Sequence, residues 1–85
     1  MEIHISINIE EDFPNKEELE IQNKIEEFVN KNDLGKMVDA GAGMGIHDIF
    51  IESDRLDALE RLSKFIEELG IMSKTKIEIV NQWKN

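Results

Sequence analysis

The sequence contains no cysteine, no tyrosine and only one proline among its 85 residues. The absence of cysteine excludes disulfide bonds and thiolate metal sites. A domain of this length buries only roughly 60–65% of its unfolded surface, which leaves little room for a deep, enclosed active site. We therefore expect residues 1–85 to form one domain whose binding sites are shallow faces, edges or interfaces.

Long hydrophobic runs are also absent. No segment approaches the ~20 consecutive apolar residues that a membrane-spanning helix needs. The N-terminal segment MEIHISINIEED has neither a positively charged stretch nor a continuous apolar run, so it does not have the pattern of a signal peptide. These features predict a cytoplasmic protein.

Positive charge is scarce, because ten Lys and Arg residues face nineteen Asp and Glu residues, for a formal net charge of −9. Binding to nucleic acids and anionic membranes depends on neutralising phosphate, so the composition predicts neither partner. The excess of carboxylates favours a basic protein partner through long-range attraction. Solubility alone is the competing explanation for the charge.

The first part of the chain predicts a strand followed by a helix. Residues 2–10, EIHISINIE, alternate strictly between isoleucine and polar residues, which predicts a half-buried strand. Residues 14–31 change to helical spacing, with Asn15 or Asp12 as the N-cap and Gly35 as the C-terminal stop. The predicted apolar face of this helix comprises Leu19, Ile21, Ile25, Phe28 and Val29, with Leu34 packing at its exit.

Residues 36–52 predict a β-hairpin that turns near Gly43 to Gly45. Parity then sorts the side chains onto two faces of the sheet. The mostly apolar face comprises Val38, Ala40, Ala42, His47, Ile49 and Ile51. The opposite face comprises Asp39, Gly41, Asp48, Phe50 and Glu52.

Residues 53–70, SDRLDALERLSKFIEELG, predict a second helix capped by Ser53 or Asp54 and ended by Gly70. Its expected core stripe comprises Leu56, Leu59, Leu62, Phe65, Ile66 and Leu69. The segment TKIEIV predicts a last strand, and Trp83 in the following tail is expected to cover an edge of the core.

The predicted order β-α-β-β-α-β indicates an α+β fold, the ferredoxin-like βαββαβ sandwich. In that fold a four-stranded antiparallel sheet has its first and third strands in the centre and both helices on one face. The other face is open. We expect that face to carry His4, Ser6, Asn8 and Glu10 beside Asp48, Phe50 and Glu52, with Lys76 and Glu78 at the edge.

The glycine-rich segment GAGMGIHDIF does not match a nucleotide-binding loop. It lacks the Lys and hydroxyl residue of a phosphate-binding loop. Gly41 and Gly43 fit the dinucleotide fingerprint, but Ile46 occupies its third position and a strand follows instead of a helix. The glycines are better explained by a strand that curls, or by close approach of a partner or a ligand.

No metal, cofactor or catalytic site is predicted. His4, His47, Asp48 and Glu52 are suitable ligand types, yet strand parity sends the two histidines to opposite faces of the sheet. Without cysteine or tyrosine, and without a compelling pair of carboxylates, the chain offers no specific catalytic constellation. We therefore expect a protein that is not an enzyme.

The glycine-rich turn into MGIHDIFIE, a leucine-rich helix that ends in Gly70, and TKIEIV together resemble small bacterial ferredoxin-like proteins. These include immunity proteins of toxin–immunity systems of the contact-dependent growth inhibition type. The resemblance covers residues 37–80 as a pattern. It implies a small, acidic, non-catalytic protein that binds a toxin domain, often a basic nuclease, in a stoichiometric complex.

Three functional hypotheses follow. The first is an immunity or antitoxin protein whose acidic surface binds a basic toxin domain, with Phe50 as an apolar anchor. The second is a dimeric small-molecule-sensing module of the ACT type with a ligand beside Gly41 to Gly45. The third is a homo-oligomer, such as a homodimer, joined through an edge strand or the open face. For the first, the predicted partner-binding residues are Glu10, Glu11, Asp12, Asp39, Asp48, Phe50 and Glu52.

Overall fold

A computed structural model of the chain describes residues 1–80. The elements are β1 (Glu2–Asn8), α1 (Lys16–Lys31), β2 (Lys36–Gly43), β3 (Ile46–Glu52), α2 (Ala58–Glu68), a short 3-10 helix (Met72–Lys74) and β4 (Thr75–Val80). Trp83, predicted to cover an edge of the core, lies outside the described residues.

The four strands form one antiparallel sheet in the order β2-β3-β1-β4. The first and third strands are therefore central, and the other two form the edges. This arrangement confirms the predicted ferredoxin-like βαββαβ fold. None of the helices within residues 1–80 is long and apolar enough to cross a membrane.

The core lies between one face of the sheet and the two helices. Burial of these apolar side chains is the main favourable contribution to folding. Where α1 meets α2, the rings of Phe28 and Phe65 are stacked with centroids 4.1 Å apart. The fully buried core residues include Ile3 and Ile5 of β1, Ile49 and Ile51 of β3, Ile25 and Val29 of α1, and Leu62 and Ile66 of α2.

Helix α1 begins two residues later than predicted, at Lys16, with Asn15 as its N-cap. The side chain of Asn15 accepts a hydrogen bond from Glu18 N, and Asn15 N donates to Glu18 Oε1, each at 2.8 Å. This reciprocal capping box satisfies two backbone donors. Glu18 is buried in this arrangement, whereas Leu19, predicted on the apolar face, is 46% exposed.

Helix α2 begins at Ala58, later than predicted, and neither Ser53 nor Asp54 is its N-cap. Ser53 is buried, and its hydroxyl accepts a hydrogen bond from Arg55 N. Residues 53–57 therefore form a separate connecting loop, held by the paired hydrogen bonds from Arg55 to Asp57. Leu56 consequently lies outside the core stripe, where it is 97% exposed.

Two strands also differ from their predicted boundaries or register. β1 ends at Asn8. One more bond, from Ile9 N to Gly45 O, follows the last pair, and the chain then bends away, so Glu10 lies beyond the sheet. In β2 the pairing shifts between Met37 and Asp39, which leaves Val38 as the extra residue of a β-bulge. Met37 takes the inward position, and Val38 is exposed instead of sharing the core face.

The β2–β3 hairpin turns at Met44 and Gly45, within the predicted segment. Both residues have positive φ, 54° and 81°, as a two-residue turn between twisted strands requires. Gly43 is still part of β2 and pairs with Ile46. The glycine-rich segment thus forms the end of an edge strand followed by a tight turn.

Candidate functional site

The face of the sheet opposite the helices carries polar side chains that alternate with the buried isoleucines. We call this surface the open face. It presents more carboxylates than lysines among the described residues. Its charged residues are Glu2, Asp39, Asp48, Glu52 and Glu78, together with Lys36 and Lys76.

Two stacked rings lie at the centre of the open face. His4 of β1 pairs with Phe50 of β3 in the register of the sheet. Their ring centroids are 4.5 Å apart, and their planes differ by only 4°. The distance between the ring centroids is close to the spacing of about 4.8 Å between adjacent strands. The rings are therefore stacked face to face, each above its own strand.

Asp48 fixes the orientation of the histidine. Its cross-strand partner is Ser6, so it lies diagonally across from His4. His4 Nε2 donates a hydrogen bond to Asp48 Oδ1 at 2.7 Å. His4, Phe50 and Asp48 thus form a connected group on the two central strands.

Each side of the stack faces an acidic residue of an edge strand. Phe50 pairs with Asp39 of β2, and His4 pairs with Glu78 of β4. Asp39 Oδ1 accepts a hydrogen bond from the backbone N–H of Ala40 at 2.8 Å. Glu78 forms an ion pair with Lys76 at 3.2 Å, on an exposed part of the surface where such pairs contribute little stability.

The predicted partner-binding residues fall into three groups. Asp39, Asp48 and Phe50 are neighbours at the centre of the open face. Glu52 lies two residues further along β3, at the end of the sheet, and pairs with Lys36 of β2 and Glu2 of β1. The third group, described next, lies at the opposite end.

Glu10, Glu11 and Asp12 are exposed in the loop between β1 and α1, not on the open face. The hydrogen bond from Ile9 N to Gly45 O places this loop beside the hairpin turn. The strand between Ile46 and Glu52 spans about 20 Å, so these acids are separated from Glu52 by about that distance. They belong to a different part of the surface from the central group.

The two adjacent residues His47 and Asp48 lie on opposite faces of the sheet, as parity predicts. His47 is 2% exposed, and its Nε2 lies 2.7 Å from Oε1 of Gln22 on α1. Burial lowers the pKa of His47, and the nearby carboxylates of Asp48 and Glu18 oppose this effect. The histidine is therefore part of the core, while its neighbour belongs to the open face.

Sequence reasoning placed His4 on the open face but did not identify it as part of the candidate site. The alternation of EIHISINIE indicates its face, whereas its partner depends on the register between β1 and β3. That register pairs residues 46 positions apart, and no local pattern specifies it. The contact between His47 and Gln22 was missed because it depends on how α1 packs against β3, which no local pattern specifies.

The glycines of β2 leave open space beside Asp48 at the hairpin end of the open face. Gly41 pairs with Asp48, and Gly43 pairs with Ile46. A Cβ atom added at either glycine would have no other atom within 4 Å. The part of the open face above Gly41 and Gly43 therefore has no side chains, and Asp48 and Ile46 of β3 border it on one side.

The arrangement of the open face offers several features that can contact another molecule. It offers a flat aromatic surface, several carboxylates and an exposed edge strand. Within residues 1–80, no three His, Asp or Glu side chains are grouped as metal ligands would be. Comparison of the chain with models of protein families, with curated proteins and with solved structures yields no match.

Proposed function

We propose that this protein is a non-catalytic binding protein of the immunity or antitoxin type, which neutralises a basic toxin domain by stoichiometric binding in the bacterial cytoplasm. The binding surface is the open face. Phe50 is the central apolar anchor, and Asp39, Asp48 and Glu52 provide the surrounding negative charge.

The single observation that supports this proposal most strongly is the composition of the open face. A stacked aromatic pair lies at its centre, and carboxylates from all four strands surround it. Interfaces derive most of their affinity from a few well-packed anchors, with aromatic residues prominent among them. Complementary charge accelerates association and selects the partner.

The net charge of −9 supports the same kind of partner. A nuclease domain binds nucleic acid through a basic groove, because neutralising phosphates supplies much of its affinity. An acidic sheet face presented to that groove competes with the nucleic acid for the same basic side chains. Such inhibition requires tight binding and no chemistry by the inhibitor.

The proposal is tested by coexpressing the protein with the products of the neighbouring genes, one at a time. We expect one of these products to be basic and to arrest growth when expressed alone. Coexpression should restore growth, and the two proteins should purify together as a complex of equal stoichiometry. If no neighbouring product is retained or neutralised, the proposal is wrong.

Two sets of variants locate the surface. Phe50→Ala and Asp39→Ala on the open face should weaken the complex and restore toxicity. Glu60→Ala and Glu67→Ala remove the same kind of charge from exposed positions of α2 and should leave protection intact. Equal loss of protection in both sets would show that net charge, and not the open face, determines binding.

A further inference from the structure

We infer that the groove between α1 and α2 binds Phe13 and the acidic loop of a second copy of this chain, so that two copies form a symmetric dimer. The groove lies on the helix side of the sheet, so the open face stays exposed in such a dimer. Dimerisation is therefore a property separate from the proposed binding of a toxin domain. The acidic loop is the exposed segment Glu10, Glu11 and Asp12.

Two hollows in the groove flank the stacked rings of Phe28 and Phe65. Both rings are only partly buried, so aromatic surface lines each hollow. The hollows measure about 200 and 250 Å³. A cavity of about 150 Å³ is large enough to hold a benzene ring, so either hollow can accept an aromatic side chain from another molecule.

The charged residues that line the hollows are mostly basic, although the chain has a net charge of −9. They are Lys24, Glu27 and Lys31 on α1, and Arg61, Lys64 and Glu68 on α2. Within residues 1–80, no carboxylate forms an ion pair with the three lysines of this set. A ligand for the groove should therefore combine an aromatic ring with negative charge.

The chain itself carries such a group. Phe13 is 70% exposed and directly follows the three carboxylates of the acidic loop. Helix α1 extends about 18 Å from Lys16 to Phe28, whereas the segment from Phe13 to Lys16 spans at most about 11 Å. The capping box at Asn15 also holds this segment at the start of the helix. Phe13 can therefore enter the groove of another copy but not its own.

A two-fold axis beside the middle of α1 makes this contact reciprocal. When two copies of α1 run antiparallel about a point between residues 20 and 21, Phe13 of each copy lies opposite Phe28 of the other. The same alignment places Glu17 opposite Lys24. Glu17, Lys24 and Phe28 are spaced by seven and four residues, so they lie on one side of the helix. Each contact then occurs twice, as a self-complementary interface requires.

Sedimentation equilibrium tests for the dimer. We expect the wild type to dimerise and Phe13→Asn to raise the dissociation constant about 100-fold or more, because both copies lose an aromatic anchor. Met44→Asn is the matched control, since Met44 is even more exposed and lies outside the groove, and it should leave the dimer intact. A wild type that stays monomeric at about 1 mM, or equal weakening by both variants, would overturn the inference.

A charge exchange tests the antiparallel alignment. Glu17→Lys and Lys24→Glu should each weaken the dimer about tenfold, because each places like charges opposite one another twice. Mixed in equal amounts, the two variants should form a heterodimer with an affinity close to that of the wild type. In this heterodimer both pairs between the copies again have opposite charges. A mixture that dimerises no better than the separate variants would refute the alignment.

The position of the axis has its own test. The two copies of Glu20 approach each other beside the axis, so Glu20→Gln should strengthen the dimer about twofold. Glu26→Gln makes the same change on the side of α1 away from the groove and should have no effect. A weaker dimer in Glu20→Gln would refute this position. None of these variants alters the open face, so a failed dimer leaves the proposed function standing, and a failed search for a toxin leaves the dimer standing.

Discussion

The two faces of the sheet use the same residue types in opposite ways. On the helix side, His47 is buried and contacts Gln22, and burial lowers its pKa. On the open side, His4 is partly exposed, stacks on Phe50 and bonds to Asp48. The comparison shows that a histidine next to an aspartate in sequence need not act with it, because alternate residues of a strand belong to different surfaces.

The glycines show the same contrast. Gly35 has φ of +145°, and a Cβ atom at this position would collide with the backbone of Glu52 and Ser53. Gly41 has no such constraint, and the space beside it is empty. Gly35 is required by the packing of the chain, whereas Gly41 leaves open space on the surface of the sheet.

The largest predicted effect tests this difference between glycines. Gly35→Ala should destabilise the protein by about 3 kcal/mol or more, because the added methyl group meets backbone atoms and the backbone conformation disfavours an L-residue. Gly41→Ala, the matched control, should change the free energy of unfolding by less than about 1 kcal/mol. Urea denaturation followed by circular dichroism measures the free energy of unfolding of both variants. Similar losses in the two variants would contradict the difference between Gly35 and Gly41.

The second prediction compares two neighbouring residues of β3 on opposite faces. Ile49→Ala should lower the free energy of unfolding by about 2–5 kcal/mol, because Ile49 is fully buried. Phe50→Ala should cost about 1 kcal/mol, since it loses a ring contact on a half-open surface.

Partner binding completes this comparison. Below the unfolding temperature of each variant, only Phe50→Ala should weaken the complex with the partner, as measured by calorimetry. A greater loss of stability from Phe50→Ala than from Ile49→Ala would mean that the open face contributes more to the fold than the helix-covered face.

The smallest predicted effect concerns pH. Burial lowers the pKa of His47 below its ordinary value of 6.5, so the unfolded chain binds this proton more readily than the folded protein does. The stability associated with neutral His47 is therefore present above pH 6.5 and declines as the pH falls below it. His47→Gln removes this dependence and keeps a polar group beside Gln22.

Urea unfolding of wild type and His47→Gln between pH 7.5 and pH 5 measures the effect. The advantage in unfolding free energy of the wild type over the variant should shrink as the pH falls. Asn8→Gln, a non-titrating change on the open face, should show a constant difference from wild type over the same range. A constant difference for His47→Gln would contradict the assignment of a lowered pKa.

The sequence predicted the fold well because its strongest signals are local. The strict alternation of β1 and the Asn15 cap of α1 depend on neighbouring residues, and both are confirmed. The start of α2 was predicted wrongly, since the bonds between Arg55 and Asp57 and the burial of Ser53 hold the preceding residues in a loop. Val38 was misplaced because a β-bulge shifts parity, and no residue pattern in KMVDAGAG indicates one.

The candidate site was predicted in part. Parity placed Asp39, Asp48 and Phe50 on one face, and the structure makes them neighbours. Glu10 was assigned to that face by extending β1 two residues too far. After the bond from Ile9 N to Gly45 O the chain bends out of the sheet, so the acidic loop lies at the end of the sheet.

The sequence by itself determined the order of elements, the side of the sheet on which most strand residues lie, and the excess of negative charge. These properties follow from periodicity and composition, which the chain has before it folds. Only the tertiary structure decided which residues meet across strands. The stack of His4 on Phe50, the bond to Asp48 and the open space above Gly41 depend on the register of distant segments, which the packing of the whole core fixes.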